Sequence, residues 1–167
     1  MSNANAASPE NTLEIKLQSG TVVIELLPQI APNHVERIKT LARQKFYDGI
    51  VFHRVIDGFM VQTGDPTGTG MGGSKLPDLK AEFSSASKAS HTRGAVSMAR
   101  AQSPNSANSQ FFIVTKDSKF LDEQYTIWGR VISGMEFVDK IKKGDPRNNG
   151  QVSDPDKMIS VRILADK

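Results

Sequence analysis

Leu13, Ile15 and Leu17 alternate with polar neighbours, the chain turns at Ser19-Gly20, and Val22 to Leu27 follows as a more continuous apolar run. A period of two on either side of a glycine turn predicts an opening β-hairpin. From Pro32 the spacing changes. Val35, Ile38, Leu41 and Ala42 recur every three or four residues, which predicts an amphipathic helix from Pro32 to about Lys45. Proline suits its first turn, where a missing N–H costs nothing. Met135, Val138 and Ile141 repeat that spacing and predict a second helix from Gly134 to Lys143, stopped by Gly144 and Pro146. The other apolar runs are short and strand-like, and two long loops, Gly64 to Leu76 and Gly144 to Asp156, are expected on the surface. Periodicity gives a β-rich chain with two helices and no internal repeat.

The run from Val51 to Thr63 narrows the picture. Two strand-like pieces, Val51 to Ile56 and Met60 to Thr63, flank Asp57-Gly58, a strong signal for a tight reversal. A two-residue loop sets Arg54 opposite Val61. A three-residue loop of Asp57, Gly58 and Phe59, with glycine in the left-handed position, sets Arg54 opposite Gln62 and Ile56 opposite Met60. The second register gathers Arg54, Met60 and Gln62 on one face and leaves Val51, His53, Val55 and Val61 to the core. Against this stands the bland reading of Arg54 as a snorkelling surface residue.

Two further segments shift that balance. Gly94 to Ala101 reads GAVSMARA, and Ser109 to Val114 reads SQFFIV after a polar loop. With FHRVIDGFMVQTGD from Phe52 to Asp65, these blocks resemble the signature segments of the cyclophilins, the peptidyl-prolyl cis–trans isomerases. The resemblance covers all but the first dozen residues. It implies a closed eight-stranded antiparallel barrel capped by two helices, formed by residues 12–167 behind a flexible tail of residues 1–11.

The same resemblance implies catalytic roles for Arg54 and Gln62 and assigns a proline pocket to Phe59, Met60, Phe112 and Leu121. Gln110, with the chain from Met98 through Ala99 and Arg100 to Ala101, matches positions that grip the peptide. Phe120 stands where cyclosporin-sensitive members have Trp, Tyr125 where they have His, and Arg100 where they have Asn. Without an indole N–H at Phe120, cyclosporin binding is expected to be weak at best. Phe111 points away from Phe112 by alternation and is expected in the core.

Composition excludes several classes. In 167 residues there are 21 Lys and Arg against 18 Asp and Glu, scattered without a long run of either sign, so nucleic acid is not an expected partner. Lys140, Lys142, Lys143 and Arg147 are the densest basic group and read as a solvated helix end. Cysteine is absent, which removes disulfides and thiolate chemistry. The first eleven residues are small and polar with no apolar leader, and no apolar run approaches the roughly 20 residues of a membrane span, so a monomer working in the cytoplasm is expected.

Several motifs are decoys. Gly68 to Gly73 matches G-x-G-x-x-G, but Pro77 interrupts any following helix and no strand-helix-strand unit surrounds it. His34, His53 and His91 lack zinc-ligand spacing, and His53 is expected as a hydrogen-bonded core histidine. Ser109 has no nucleophile-elbow context, and Trp128 is expected in the core or at a groove edge.

The chemistry implied needs no metal or cofactor. Rotation about a peptide bond faces ~18–20 kcal/mol because the nitrogen lone pair is delocalised into the carbonyl. A site that favours the twisted amide, with a pyramidal nitrogen and a localised lone pair, lowers that barrier. Arg54 is always protonated and can donate to that nitrogen or to the rotating carbonyl, while Gln62 steadies it. A reduction of ~7 kcal/mol corresponds to a rate gain near 10⁵. The expected substrates are proline-containing, unfolded or flexible polypeptides; the competing expectation is a non-catalytic proline-peptide-binding module or chaperone using the same groove.

Overall fold

A computed structural model describes residues 8–167. The opening hairpin is present as β1 (Thr12–Lys16) and β2 (Thr21–Leu26), and the first helix as α1 (Pro32–Arg43). Six further strands follow: β3 (Arg54–Ile56), β4 (Met60–Thr63), β5 (Ala95–Met98), β6 (Phe111–Val114), β7 (Ile127–Ser133) and β8 (Ser160–Ile163). They form one antiparallel sheet in the order β3-β4-β6-β5-β7-β2-β1-β8. The sheet curls on itself, and the expected closure is looser than a continuous ladder. Between β3 and β8 the gap is crossed by the segment before β8, through the bridges Val51 to Lys157 and Arg54 to Gln151. Backbone bonds from Val55 to Gly150 and from Phe52 to Asp156, both 2.8 Å, complete the seam.

Inside the curl lie Leu13, Ile15, Val22 and Ile24 from the hairpin and Ile38 and Leu41 from α1. Phe111 meets Trp128 edge to face at 5.3 Å and Tyr47 at 5.4 Å, and all three rings are fully buried, so Trp128 is a core residue. Burying side chains of this size is worth about 1.5–3 kcal/mol each. Gly129 of β7 pairs with Leu26 of β2; a Cβ there would lie 2.8 Å from the Ile24 side chain and 3.1 Å from the Glu25 carbonyl, a crowding that glycine avoids.

Helix α1 begins at Pro32 without a capping side chain at Ala31. Glu82 supplies the cap from a distant segment, accepting from the N–H groups of Asn33 and His34 at 3.1 and 2.9 Å. The helix stops at Arg43, short of the expected Lys45, which takes a left-handed φ of 59°.

The second helix, α2 (Met135–Asp139), is half the expected length. Beyond Asp139 the backbone donors are claimed elsewhere. Ile141 bonds Val138 three residues back, Lys142 donates to the Asp156 carboxylate at 2.9 Å, and Gly144 donates to Val55 at 2.8 Å. The basic cluster at 140–147 therefore lies mostly in the loop that follows the helix.

Of the expected tail, residues 1–7 lie outside the described residues. Residues 9–11 form a 3-10 turn, and Glu10 pairs with Lys39 and Arg43 of α1 at 3.0 and 2.9 Å, so the ordered chain starts before residue 12.

Candidate active site

The hairpin of β3 and β4 adopts the three-residue register. Arg54 lies opposite Gln62, Val55 opposite Val61 and Ile56 opposite Met60, with Gly58 at a φ of 73°. A left-handed residue there turns the chain at no steric cost only if it is glycine. Strand β6 pairs on the other side of β4 and sets Phe112 beside Gln62. Alternation then separates two faces. Val55, Val61, Phe111 and Ile113 enter the core, and Arg54, Met60, Gln62 and Phe112 face outward.

The inward row departs from expectation at its start. The strand begins only at Arg54, so Val51 is half-buried and Phe52 takes the core position. His53 is buried as expected, under the loop at Gly70, but neither ring nitrogen has a hydrogen-bond partner among the described residues. Burial holds its pKa below the ordinary value, with Asp65 acting in the opposite sense.

On the outward face a second apolar cluster forms from Met60, Ala95, Phe112 and Val114, with Phe59, Leu121 and Tyr125 packed half-buried around it. Above it opens a hollow of about 120 Å³. At ~30 Å³ per water this holds about four waters, the scale of a five-membered ring and well below the ~300–1,000 Å³ of a pocket for a drug-sized ligand. Phe59, Met60, Phe112 and Leu121 line it, with Ala99 and Tyr125 at its wall and Arg54, Gln62 and Arg100 at its rim.

Arg54 is held on two sides. Nη1 donates to Gln62 Oε1 at 3.0 Å, and Nε and Nη2 donate to the carbonyl and side-chain oxygens of Asn149 at 2.9 and 3.1 Å. These bonds use three of the five guanidinium N–H groups and leave two free. Burial lowers its pKa from the ordinary value and Tyr125 opposes that shift, but a guanidinium stays charged at neutral pH.

Gln62 in turn donates to Gln110 Oε1 at 3.0 Å, and Gln110 donates to the carbonyls of Gly70 and Gly72 at 3.0 and 2.9 Å. Those glycines belong to the Gly-rich loop, which no helix follows and which is wound around Asp65. The buried Asp65 carboxylate accepts from the N–H groups of Thr67, Gly70 and Gly72 at 2.8, 2.6 and 3.1 Å and from the Thr67 hydroxyl at 2.7 Å. Burial alone would raise its pKa; these donors outweigh that and hold it at about 2. A hydrogen-bonded rail thus runs from Asp65 through the loop, Gln110 and Gln62 to Arg54. Beside it lies a second cavity of about 370 Å³, bordered by Gln110, Ala99, Arg100 and Ala101.

Behind Phe112 lies His91, stacked at 6.1 Å and fully buried. Its Nδ1 is 2.8 Å from Asp122 and its Nε2 2.9 Å from Ser97. Burial holds its pKa below the ordinary value against the pull of Asp122.

Two sequence-assigned positions border neither cavity. Phe120 is 68% exposed and leans on Phe59 at 5.7 Å at the outer edge. Met98 is corrected to the core: it pairs with Phe111 and packs with the interior cluster, because β5 alternates Val96 and Met98 inward. Sequence reasoning missed Asn149, Asp65 and the pair of His91 and Asp122. Asp65 had a readable signal, a carboxylate two residues before Thr67 in a Gly-rich stretch, the pattern of an Asx turn. Asn149 and Asp122 act across 95 and 31 residues of chain, and no local pattern marks them.

Comparison with known proteins bears on the same region. Residues 12–163 match the family described as cyclophilin type peptidyl-prolyl cis-trans isomerase/CLD. A probable peptidyl-prolyl cis-trans isomerase of Brucella suis is 53% identical over 174 aligned positions, covering 98% of this chain and 87% of that protein. The peptidyl-prolyl cis-trans isomerase ppi1 of Schizosaccharomyces pombe is 44% identical, covering 91% and 98%. Among solved structures, a cyclophilin from Hirschia baltica superposes with a TM-score of 0.85 at 29% identity, covering 96% of this chain and 76% of that one. A cyclophilin-type isomerase from Cryptosporidium parvum, solved in the presence of the dipeptide Ala-Pro, superposes with a TM-score of 0.82 at 28% identity, covering 91% and 98%.

Proposed function

Because this chain belongs to the cyclophilin-type peptidyl-prolyl cis–trans isomerases and is an isomerase of X–Pro bonds, we propose that Arg54 carries the reaction and that Gln62 holds its guanidinium in place. The observation that carries this reading is the placement of a charged group with two uncommitted N–H donors at the rim of a ring-sized apolar hollow. A proline ring in the hollow sits on Phe112 and Met60 between Phe59 and Leu121. As the amide twists, its nitrogen becomes pyramidal and gains a localised lone pair, to which the free Arg54 donors are stronger partners than to the planar ground state. No proton moves and no covalent bond to the protein forms, so the site needs no acid, base or nucleophile.

Gln110 and the backbone from Ala99 to Ala101 border the second cavity and grip the residues before proline. The cavities are open, which suits unfolded or flexible segments of polypeptide as substrates. Phe120 and Tyr125 shape the outer edge. With no N–H on the Phe120 ring, cyclosporin is expected to bind weakly, which a titration checks. A monomer in the cytoplasm is the expected working form, to be checked by sedimentation and by cell fractionation; no helix among the described residues is long and apolar enough to cross a membrane.

The decisive experiment follows cis–trans exchange in an X–Pro peptide by NMR line shape with wild type and with Arg54→Ala. Wild type accelerates exchange, and the variant, still folded, is expected to lose about 10²–10³-fold of that acceleration. An Arg54→Ala protein with full activity removes Arg54 from the reaction, and a wild type that binds the peptide without accelerating exchange makes the chain a binding module.

A further inference from the structure

Arg100 borders both cavities, yet its guanidinium is almost entirely committed to the protein's own backbone. Nε and Nη2 both donate to the Gln124 carbonyl, at 3.1 and 2.9 Å, and Nη1 donates to the carbonyls of Ala101 and Gln102, each at 3.0 Å. Four of the five N–H groups are occupied, in contrast to three at Arg54. Its central carbon lies 4.7 Å from the centre of the Tyr125 ring, within range of a cation–π contact. Among the described residues no carboxylate pairs with it.

The segment that Arg100 grips is anchored on either side of Gln124 and Tyr125: Asp122 accepts from Ser90 and from the His91 backbone, and the Thr126 carbonyl accepts from Met98 and Ser97. Leu121 ends a 3-10 turn at Lys119–Leu121, and strand β7 begins only at Ile127, so Gln124 and Tyr125 fall between them with no ladder bonds. Both Leu121 and Tyr125 are only half-buried. Between those anchors the Tyr125 ring rests edge-on against Phe112 and His91 at 5.8 and 6.4 Å, and the fork of Arg100 lies over its face.

We propose that Arg100 is a positioning residue: it clamps the turn at 100–102 to the segment at 124–125, and so fixes Tyr125 as one wall of the hollow. It acts through Tyr125 rather than by donating to the substrate, as its family-matched place suggested. The proposal rests on the reading of the hollow as the proline site. A lysine at this position keeps the charge but lacks the planar set of donors that reaches three carbonyls together.

The test uses the full chain and four variants, Arg100→Ala, Arg100→Lys, Tyr125→Phe and Tyr125→Leu, plus the double variant Arg100→Ala with Tyr125→Leu. Each is titrated with a fluorescent Ala-Pro peptide for Kd, assayed for KM and kcat, and melted. Loss of a cation–π contact and its clamp is expected to weaken Kd and KM about tenfold in Arg100→Ala. The melting midpoint and kcat are expected to stay close to wild type. Arg100→Lys is equally impaired, Tyr125→Phe keeps more affinity than Tyr125→Leu, and the double variant is no worse than the poorer single one. Wild-type Kd in Arg100→Ala, full rescue by Arg100→Lys, or multiplying effects in the double variant each overturn the proposal. Peptide binding reads the clamp independently of turnover, so a wild type that binds without accelerating exchange defeats the isomerase reading while the Kd series still decides on Arg100.

Discussion

The two faces of strands β3, β4 and β6 are built from alternate residues of the same backbone and do opposite work. Val55, Val61, Phe111 and Ile113 point inward to a core closed over by α1 and Trp128. Arg54, Met60, Gln62 and Phe112 point outward, where a handful of apolar groups makes a shallow floor and a polar rail runs along one side. The inward face gains stability from filled volume. On the outward face Met60 and Phe112 are themselves buried, the half-buried Phe59, Leu121 and Tyr125 leave apolar surface incompletely covered, and Arg54 has no carboxylate partner among the described residues; the last two features are unfavourable for folding and useful for a ligand. Strand alternation is enough to keep the two requirements from competing.

Substitutions at neighbouring positions test that separation. Phe111→Ala empties the inward face and is expected to cost about 3–5 kcal/mol of stability, read from a denaturant melt. Phe112→Ala is expected to cost less stability and to weaken peptide binding more; equal losses from the two would break the comparison. Arg54→Ala is next, with kcat/KM expected to fall about 10²–10³-fold, as when one donor to a transition state is removed, and the melting midpoint expected to hold. If Arg54→Ala melts early, the outward face is structural as well. Asp65→Asn strips the loop of its carboxylate and is expected to cost about 1–3 kcal/mol. It should also raise hydrogen exchange at the amides of Gly70 and Gly72, since both donate to that group.

The smallest effect is that of pH. Burial holds His34, His53 and His91 below the ordinary value of 6.5, so the unfolded chain binds protons first as pH falls. Their contribution to stability is complete above about 6.5 and declines below it. Asp65, lowered from 3.8 to about 2, contributes fully above 3.8 and loses that contribution as pH drops towards 2. The melting midpoint should therefore decline gently from pH 7 to 5 and further below pH 4; a flat profile over the first interval would remove the histidines from the account.

Much of this was legible because it is local. The turn at Asp57-Gly58 allows two registers, and the hairpin adopts the one that gathers Arg54, Met60 and Gln62 on one face; the assignment of Phe111 to the core follows from alternation. The same rule places Met98 inward, opposite Phe111, although its signature block set it among the binding groups. What could not be read is set by distant partners. The length of α2 is decided by donors that turn to Asp156 and Val55, and the cap of α1 comes from Glu82. His53 was expected to find a hydrogen-bond partner, and its surroundings, set by the fold of the loop at Gly70, supply none.

The seam between β3 and the segment before β8 has a consequence for how the protein fails. Asn149, which grips Arg54 twice, belongs to that segment, and the neighbouring bonds of Gly150 and Gln151 are what stitch it to the sheet. Fraying there unlatches the guanidinium before the barrel interior is wetted. Under mild urea, turnover should therefore fade ahead of the far-ultraviolet signal, leaving a population that is still folded but idle.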